Sequence, residues 1–265
     1  MAFNNHNLYM KIHYRFVLIN ALILSFSAKA QVQKLITEAD KTALEGIIIE
    51  KYSTANSIGF IDTTGVALPK DAVTYRIYVD MKPGYSLQAV YRVPNHELII
   101  KTSTHFYNNI RWGNITGDKI DDVKITNNTA AFDSYITLGA ATDEHNGVPL
   151  SDDKDGSILK IKSFEKADGL KAEKIKPIVF FGFDLSFFNN PFNAASFSGN
   201  NGSWAVFGGI KGSTPENKVL IAQLTTDGKL NFELNIQMGT PTGGTLNFVA
   251  KNPAENEISY AALKN

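Results

Sequence analysis

Asp152, Asp153, Asp155 and Ser157 place oxygen-bearing side chains close together around Gly156. A hard divalent cation asks for this pattern: several oxygen ligands at alternate positions, and a glycine where the loop must turn sharply. Asp153, Asp155 and Ser157 are therefore the candidate ligands for calcium, and Ca2+ is the candidate cofactor. The twelve-residue calcium loop is incomplete, because no glutamate stands at its bidentate position, and a solvated acidic turn is the rival reading. His96, His105 and His145 have no second histidine at helical or alternate-strand spacing, so no zinc pair is written locally and surface or turn histidines are expected. Ser203 follows Gly202 without the G-x-S-x-G elbow of a nucleophile. The run from Gly208 to Ser213 has the composition of a phosphate-binding loop but not its spacing. Asp80, Asp133 and Asp184 sit within or beside strand-like segments. Two carboxylates at the right distance suffice for a glycosidase, but an outward, solvated carboxylate is the ordinary outcome, and no catalytic residue is assigned.

The aromatics make a different case. Tyr107, Trp112, Phe192 and Trp204 fall in or next to expected loops, where flat apolar rings with a polar edge suit sugar stacking or protein contact. They are the candidate ligand-binding residues. The competing expectation is that they pack the ends of the fold, since β cores use aromatics heavily.

These residues need a scaffold. Lys11 and Arg15 precede an apolar run, residues 16–26, that ends in Ala28-Lys29-Ala30, the layout of a secretory signal peptide. The run is too short to span a bilayer, so no membrane span is expected after cleavage. Residues 31–45 read as a leader, with Thr37 placed to cap a short helical turn, and residues 46–265 as one domain. The full chain has 26 basic and 26 acidic residues, and loss of the three cations before residue 30 leaves it slightly acidic, which disfavours a nucleic-acid partner. Cysteine is absent, so disulfides and thiolate metal sites are excluded.

Short alternating segments separated by turn residues run through the domain. Val73, Tyr75, Ile77 and Val79 fall on one side of a strand and Thr74, Arg76, Tyr78 and Asp80 on the other. Lys82-Pro83-Gly84 then turns the chain into Leu87, Ala89 and Tyr91, which reads as a β-hairpin. Residues 47–52 and 98–104 read as further strands. Val179, Phe181, Phe183 and Leu185 read as the inward face of another. Asp227-Gly228 signals a second hairpin, between residues 219–224 and 230–237, in which Leu230, Phe232, Leu234 and Ile236 point inward. Residues 246–250 are the expected last strand. Many short strands and no long amphipathic helix predict an all-β fold, an antiparallel β-sandwich whose jelly-roll or immunoglobulin-like topology stays open.

Several stretches together resemble a module of exported Bacteroidota surface proteins associated with type IX secretion. They are residues 73–80, 85–91, 106–109 (Phe106, Tyr107, Asn108, Asn109), 132–139 (beginning Phe132, Asp133, Ser134, Tyr135), 201–204 and 219–228. The resemblance implies export to the cell surface, extracellular space or periplasm. It carries no catalytic residues. Proteins of that route commonly end in a separate β-rich sorting domain, which does not follow the expected last strand here, so passage across the outer membrane stays open. Asp62-Thr63-Thr64 matches the short O-glycosylation sequon of such bacteria. The expected role is a non-catalytic binding module, adhesive or structural, whose partner is a protein or glycan at the cell surface. The alternatives are a carbohydrate-active enzyme or a carbohydrate-binding module on the same scaffold.

Overall fold

The structure, a computed structural model, describes residues 36–55, 59–61, 64–125, 129–152, 170–184, 188, 195–199 and 201–265. They belong to one unit, Ile36–Asn265. A single helical turn, α1 (Glu38–Lys41), opens it. Thr37 caps this turn as its sequence suggests: its hydroxyl accepts from the Asp40 amide at 3.1 Å, and the Asp40 carboxylate accepts from the Thr37 amide at 3.1 Å. The stretch expected as a leader is thus built in from Ile36 onward, and Ala43 and Leu44 enter the core.

Among the described residues seventeen strands follow. In chain order they are β1 (Leu44–Thr54), β2 (Phe60–Ile61), β3 (Ala67–Leu68), β4 (Val73–Met81), β5 (Ser86–Arg92), β6 (Leu98–Thr102), β7 (Tyr135–Ile136), β8 (His145–Asn146) and β9 (Leu170–Lys171). Then come β10 (Val179–Phe181), β11 (Ser196–Gly199), β12 (Gly202–Ile210), β13 (Lys218–Thr226), β14 (Leu230–Glu233), β15 (Asn235–Gly239), β16 (Thr245–Val249) and β17 (Glu257–Ser259). The fold is all-β. Three sheets matter most: β1-β4-β13-β7, β10-β12-β5-β15-β16-β17 and β11-β6-β14. All pairings are antiparallel except β16 with β17, which makes the six-stranded sheet mixed. The last strand is β17, beyond the expected one.

Neither expected hairpin forms. β4 pairs with β1 and β13, whereas β5 pairs with β12 and β15, so the Lys82-Pro83-Gly84 turn carries the chain from one sheet to another. Asp227-Gly228 does the same between β13 and β14. Alternation dictates which side chains face the core, and a turn signal dictates that the chain reverses. Neither says whether the two arms hydrogen-bond to each other or face each other across a core. The inward residues behave as expected even so. Ile77, Val79, Leu230, Phe232, Leu234 and Ile236 join side chains from all three sheets in one cluster around Trp204.

The small sheet continues the large one. Its order, β11-β6-β14, repeats β12-β5-β15, because each of three ribbons bends from one sheet into the other. Side chains buttress the bend. The Asn235 amide reaches the carbonyls of Tyr91, His96 and Glu97 at 3.0–3.3 Å. Arg92 donates through Nε to the Asn201 carbonyl at 2.9 Å and through Nη2 to the Gly182 carbonyl, and it lies 4.0 Å from the Phe183 ring centre. Gly199 must lack a side chain here, since a Cβ on it would stand 1.2 Å from Arg92 Nη1. Burial lowers the pKa of this guanidinium.

Candidate functional site

Residues 106–109 and 132–135 meet beside the four-stranded sheet, where the Ser134 amide donates to the Tyr107 carbonyl at 3.2 Å. The face of β4 expected to point outward is covered here, with Thr74, Arg76 and Tyr78 all buried. Arg76 donates from Nε and Nη2 to Gln223 Oε1 at 2.9 and 2.8 Å and packs on the Tyr52 ring. The Gln223 amide passes the connection to the carbonyls of Ala131 and Asp133 at 3.1 and 2.8 Å. Tyr107 and Ser134 are stitched to β13 through Thr225, and the Tyr107 hydroxyl meets Thr129 at 2.6 Å.

Asp133 is the anchor of loop 109–114. It is fully buried, and its two carboxylate oxygens accept from the amides of Asn109 at 2.6 Å and Asn114 at 2.8 Å. Burial pushes the carboxyl well above the usual aspartate range, and the backbone N–H groups of Asn109, Asn114 and Ser134 pull the other way. Asn109 closes the loop from inside: its side-chain oxygen accepts from the amides of Arg111 and Trp112, its carbonyl from Gly113, and its own amide group donates to Thr129. Gly113 leaves room for the carboxylate, because a Cβ would stand 2.3 Å from Asp133 Oδ2. The loop 109–114 is thereby fixed at both ends and in the middle.

What it presents is a small mixed surface. Ile110 is 63% exposed and Val123, on the neighbouring segment, 75%. Trp112 is half-buried, with its underside on a cluster that includes Tyr107 and Phe132. The Arg111 guanidinium carbon stands 5.2 Å and Lys124 Nζ 4.8 Å from the Trp112 ring centre. Neither cation forms an ion pair with a described residue, and the indole N–H donates to none.

Of the other aromatics expected at a surface, Tyr107 is 1% and Trp204 0% exposed. Both are core residues, as the packing alternative had it: Tyr107 is stitched to β13, and Trp204 lies inside β12 with its N–H on the Thr137 carbonyl at 3.0 Å. Phe192 lies outside the described residues, as do the calcium candidates Asp153, Asp155 and Ser157, and Asp62 and Thr63 of the sequon. Asp152, which opens the acidic run, is buried and paired with Lys218 at 2.9 Å. Among the described residues no three His, Asp or Glu side chains are grouped as metal ligands.

The histidines also depart from expectation. His96 and His145 are buried, each 2.8 Å from a carboxylate, Glu257 and Asp122 respectively. Both tie segments distant in sequence, a role local spacing does not encode. Ser203 is buried in β12 opposite Tyr91. Asp80 stands in register with Lys218; burial raises its pKa against the attraction of that lysine.

A second apolar surface lies on β10. Val179 and Phe181, expected to face inward, are 38% and 62% exposed, and Phe180 between them 41%; among the described residues β10 pairs with β12 alone. Phe207 of β12 is 82% exposed and, by strand alternation, shares the outward face of Val179 and Phe181. A shallow recess of about 210 Å3 lies elsewhere, on the small sheet, beside Lys101, Asn231, Glu233 and Lys264. Its one carboxylate, Glu233, is already held by Lys251 at 2.7 Å and Lys264 at 3.3 Å.

No protein-family model matches the chain, and no curated protein or solved structure does either.

Proposed function

We propose that this chain is an exported, non-catalytic interaction module of the kind found in Bacteroidota surface proteins, and that loop 109–114 is its recognition surface. One observation carries the reading. A buried carboxylate is spent on two amides of a surface loop, and that loop displays a tryptophan, an exposed isoleucine and an arginine rather than ordinary solvated side chains. Scaffold-fixed loops lose little entropy on binding, and tryptophan and arginine dominate the energetics of protein contacts. A carbohydrate-binding module is the second reading, favoured by the outward strip of Phe181 and Phe207, whose rings suit the C–H faces of sugars.

The test pairs a glycan array and a panel of immobilised cell-surface proteins with hydrolysis assays, comparing the natural chain with Trp112→Ala. Binding without turnover that is lost in Trp112→Ala is the expected result. Turnover of any polysaccharide, or unchanged binding by Trp112→Ala, overturns the proposal.

A further inference from the structure

We infer that the Trp112 surface is an anion recess that takes an acidic protein segment, in which carboxylates flank an apolar side chain. The inference rests on the reading of loop 109–114 as a recognition surface and adds the chemistry of its partner. Arg111 and Lys124 converge on one ring from different segments, at 5.2 and 4.8 Å from its centre. The carboxylate on the same turn as Lys124, Asp121, accepts from the Val123 amide at 2.9 Å, and no ion pair joins either cation to a described carboxylate, so both charges stay available to a partner. The ring face favours their convergence, since its quadrupole attracts cations. The indole N–H adds a third unclaimed donor. An incoming acidic segment finds two cations and an N–H donor around one ring.

The apolar neighbours decide between classes of polyanion. Ile110 and Val123 flank the cations and offer only aliphatic surface. Sugar sites combine rings with polar groups that match hydroxyls, and an aliphatic rim matches none. A peptide carrying leucine or phenylalanine between glutamates satisfies both halves of the patch.

The chain has two tryptophans, and Trp204 is 0% exposed, so collisional quenching reports on Trp112. Iodide is expected to quench at low ionic strength about twofold or more better than caesium, although the chain after residue 30 is slightly acidic. Arg111→Gln with Lys124→Gln is expected to erase that preference while leaving acrylamide quenching unchanged. In the second arm, a fluorescein-labelled peptide alternating glutamate with leucine should bind, its glutamine counterpart should not, and each cation removed should weaken binding by up to about fivefold. Equal quenching by the two ions, a glutamate peptide that binds no better than the glutamine one, or tighter binding of an oligogalacturonate overturns the inference. The underlying reading fails separately: it falls if Trp112→Ala leaves all partner binding intact, whatever the ions do.

Discussion

Gly113→Ala tests whether Asp133 holds the loop. The glycine has no left-handed backbone, so alanine is conformationally admissible and the perturbation is purely steric. Its Cβ would fall 2.3 Å from Oδ2 and 2.4 Å from both Cγ and Oδ1 of Asp133. The carboxylate must move, at about 1–3 kcal/mol for an overpacked site. If it moves far enough to release the amides of Asn109 and Asn114, two buried donors are orphaned, at about 1–3 kcal/mol each. Asp133→Ala orphans the same two donors but vacates the space. The added methyl then has nowhere to clash, and the double variant should be about as stable as Asp133→Ala alone. Urea unfolding followed by tryptophan fluorescence and circular dichroism gives the four free energies. A coupling of about 1 kcal/mol or more, opposing the single losses, is expected. Additivity within about 0.5 kcal/mol would refute the steric account, and so would a Gly113→Ala chain with natural stability.

Three other outcomes follow from the same physics. Burial opposes ionisation of Glu233, but bonds from Lys251 and Lys264 overcome it and hold its pKa below the ordinary 4.5. A depressed carboxyl contributes stability at neutral pH that is lost as pH falls through its folded pKa, so Glu233→Gln should lower Tm at pH 7 and flatten its decline in acid; parallel Tm–pH curves would contradict this. Gly199→Ala drives a methyl to within 1.2 Å of Arg92 Nη1 and should lower Tm strongly, whereas Gly208→Ser, with nothing within 4 Å of its Cβ position but a positive φ of 74°, should lower it only modestly. Phe207→Ser should reduce binding of a hydrophobic dye while changing stability by less than about 0.5 kcal/mol, because the ring is 82% exposed.

Much of the fold was legible because alternation is a local property. The strand at 73–81, the core-facing residues of 230–236, the Thr37 cap and the all-β class follow from periodicity and turn chemistry, whereas the strand expected over 230–237 divides at Leu234 into β14 and β15 of two different sheets. Partner choice was not legible. Two turns read as hairpins are arches, since the sequence of a reversal does not record which strand fills the neighbouring slot. Edge position was hidden too: Val179 and Phe181 read as inward-facing by alternation, but hydrophobicity does not reveal that, among the described residues, β10 has a strand neighbour on one side alone. For the site, Trp112 stood out as an aromatic, whereas Asp133 looked like a solvated carboxylate. The one available signal was Asn109 and Gly113 bracketing the tryptophan, a loop that closes on itself and leaves two amides in search of an acceptor.

The residues that hold the loop separate from those that it displays. Tyr107, Asn109, Asp133 and Ser134, with Thr225 of β13, hold the loop through buried hydrogen bonds. The side chains of Ile110, Arg111, Trp112, Val123 and Lys124 make none of those bonds. A scaffold fixed by buried hydrogen bonds tolerates little change, because each lost partner leaves a buried donor or acceptor unsatisfied. A surface residue on that scaffold can change at small cost to stability. The same support could therefore present different side chains, and partner specificity would be carried by residues 110–112 and 123–124 rather than by the residues that hold the loop. Exchanging Ile110, Arg111, Val123 and Lys124 for alanine, with Trp112 kept because it packs on the Tyr107 and Phe132 cluster, should abolish recognition of the acidic peptide while leaving the urea midpoint nearly unchanged; a large loss of stability would instead place them in the scaffold.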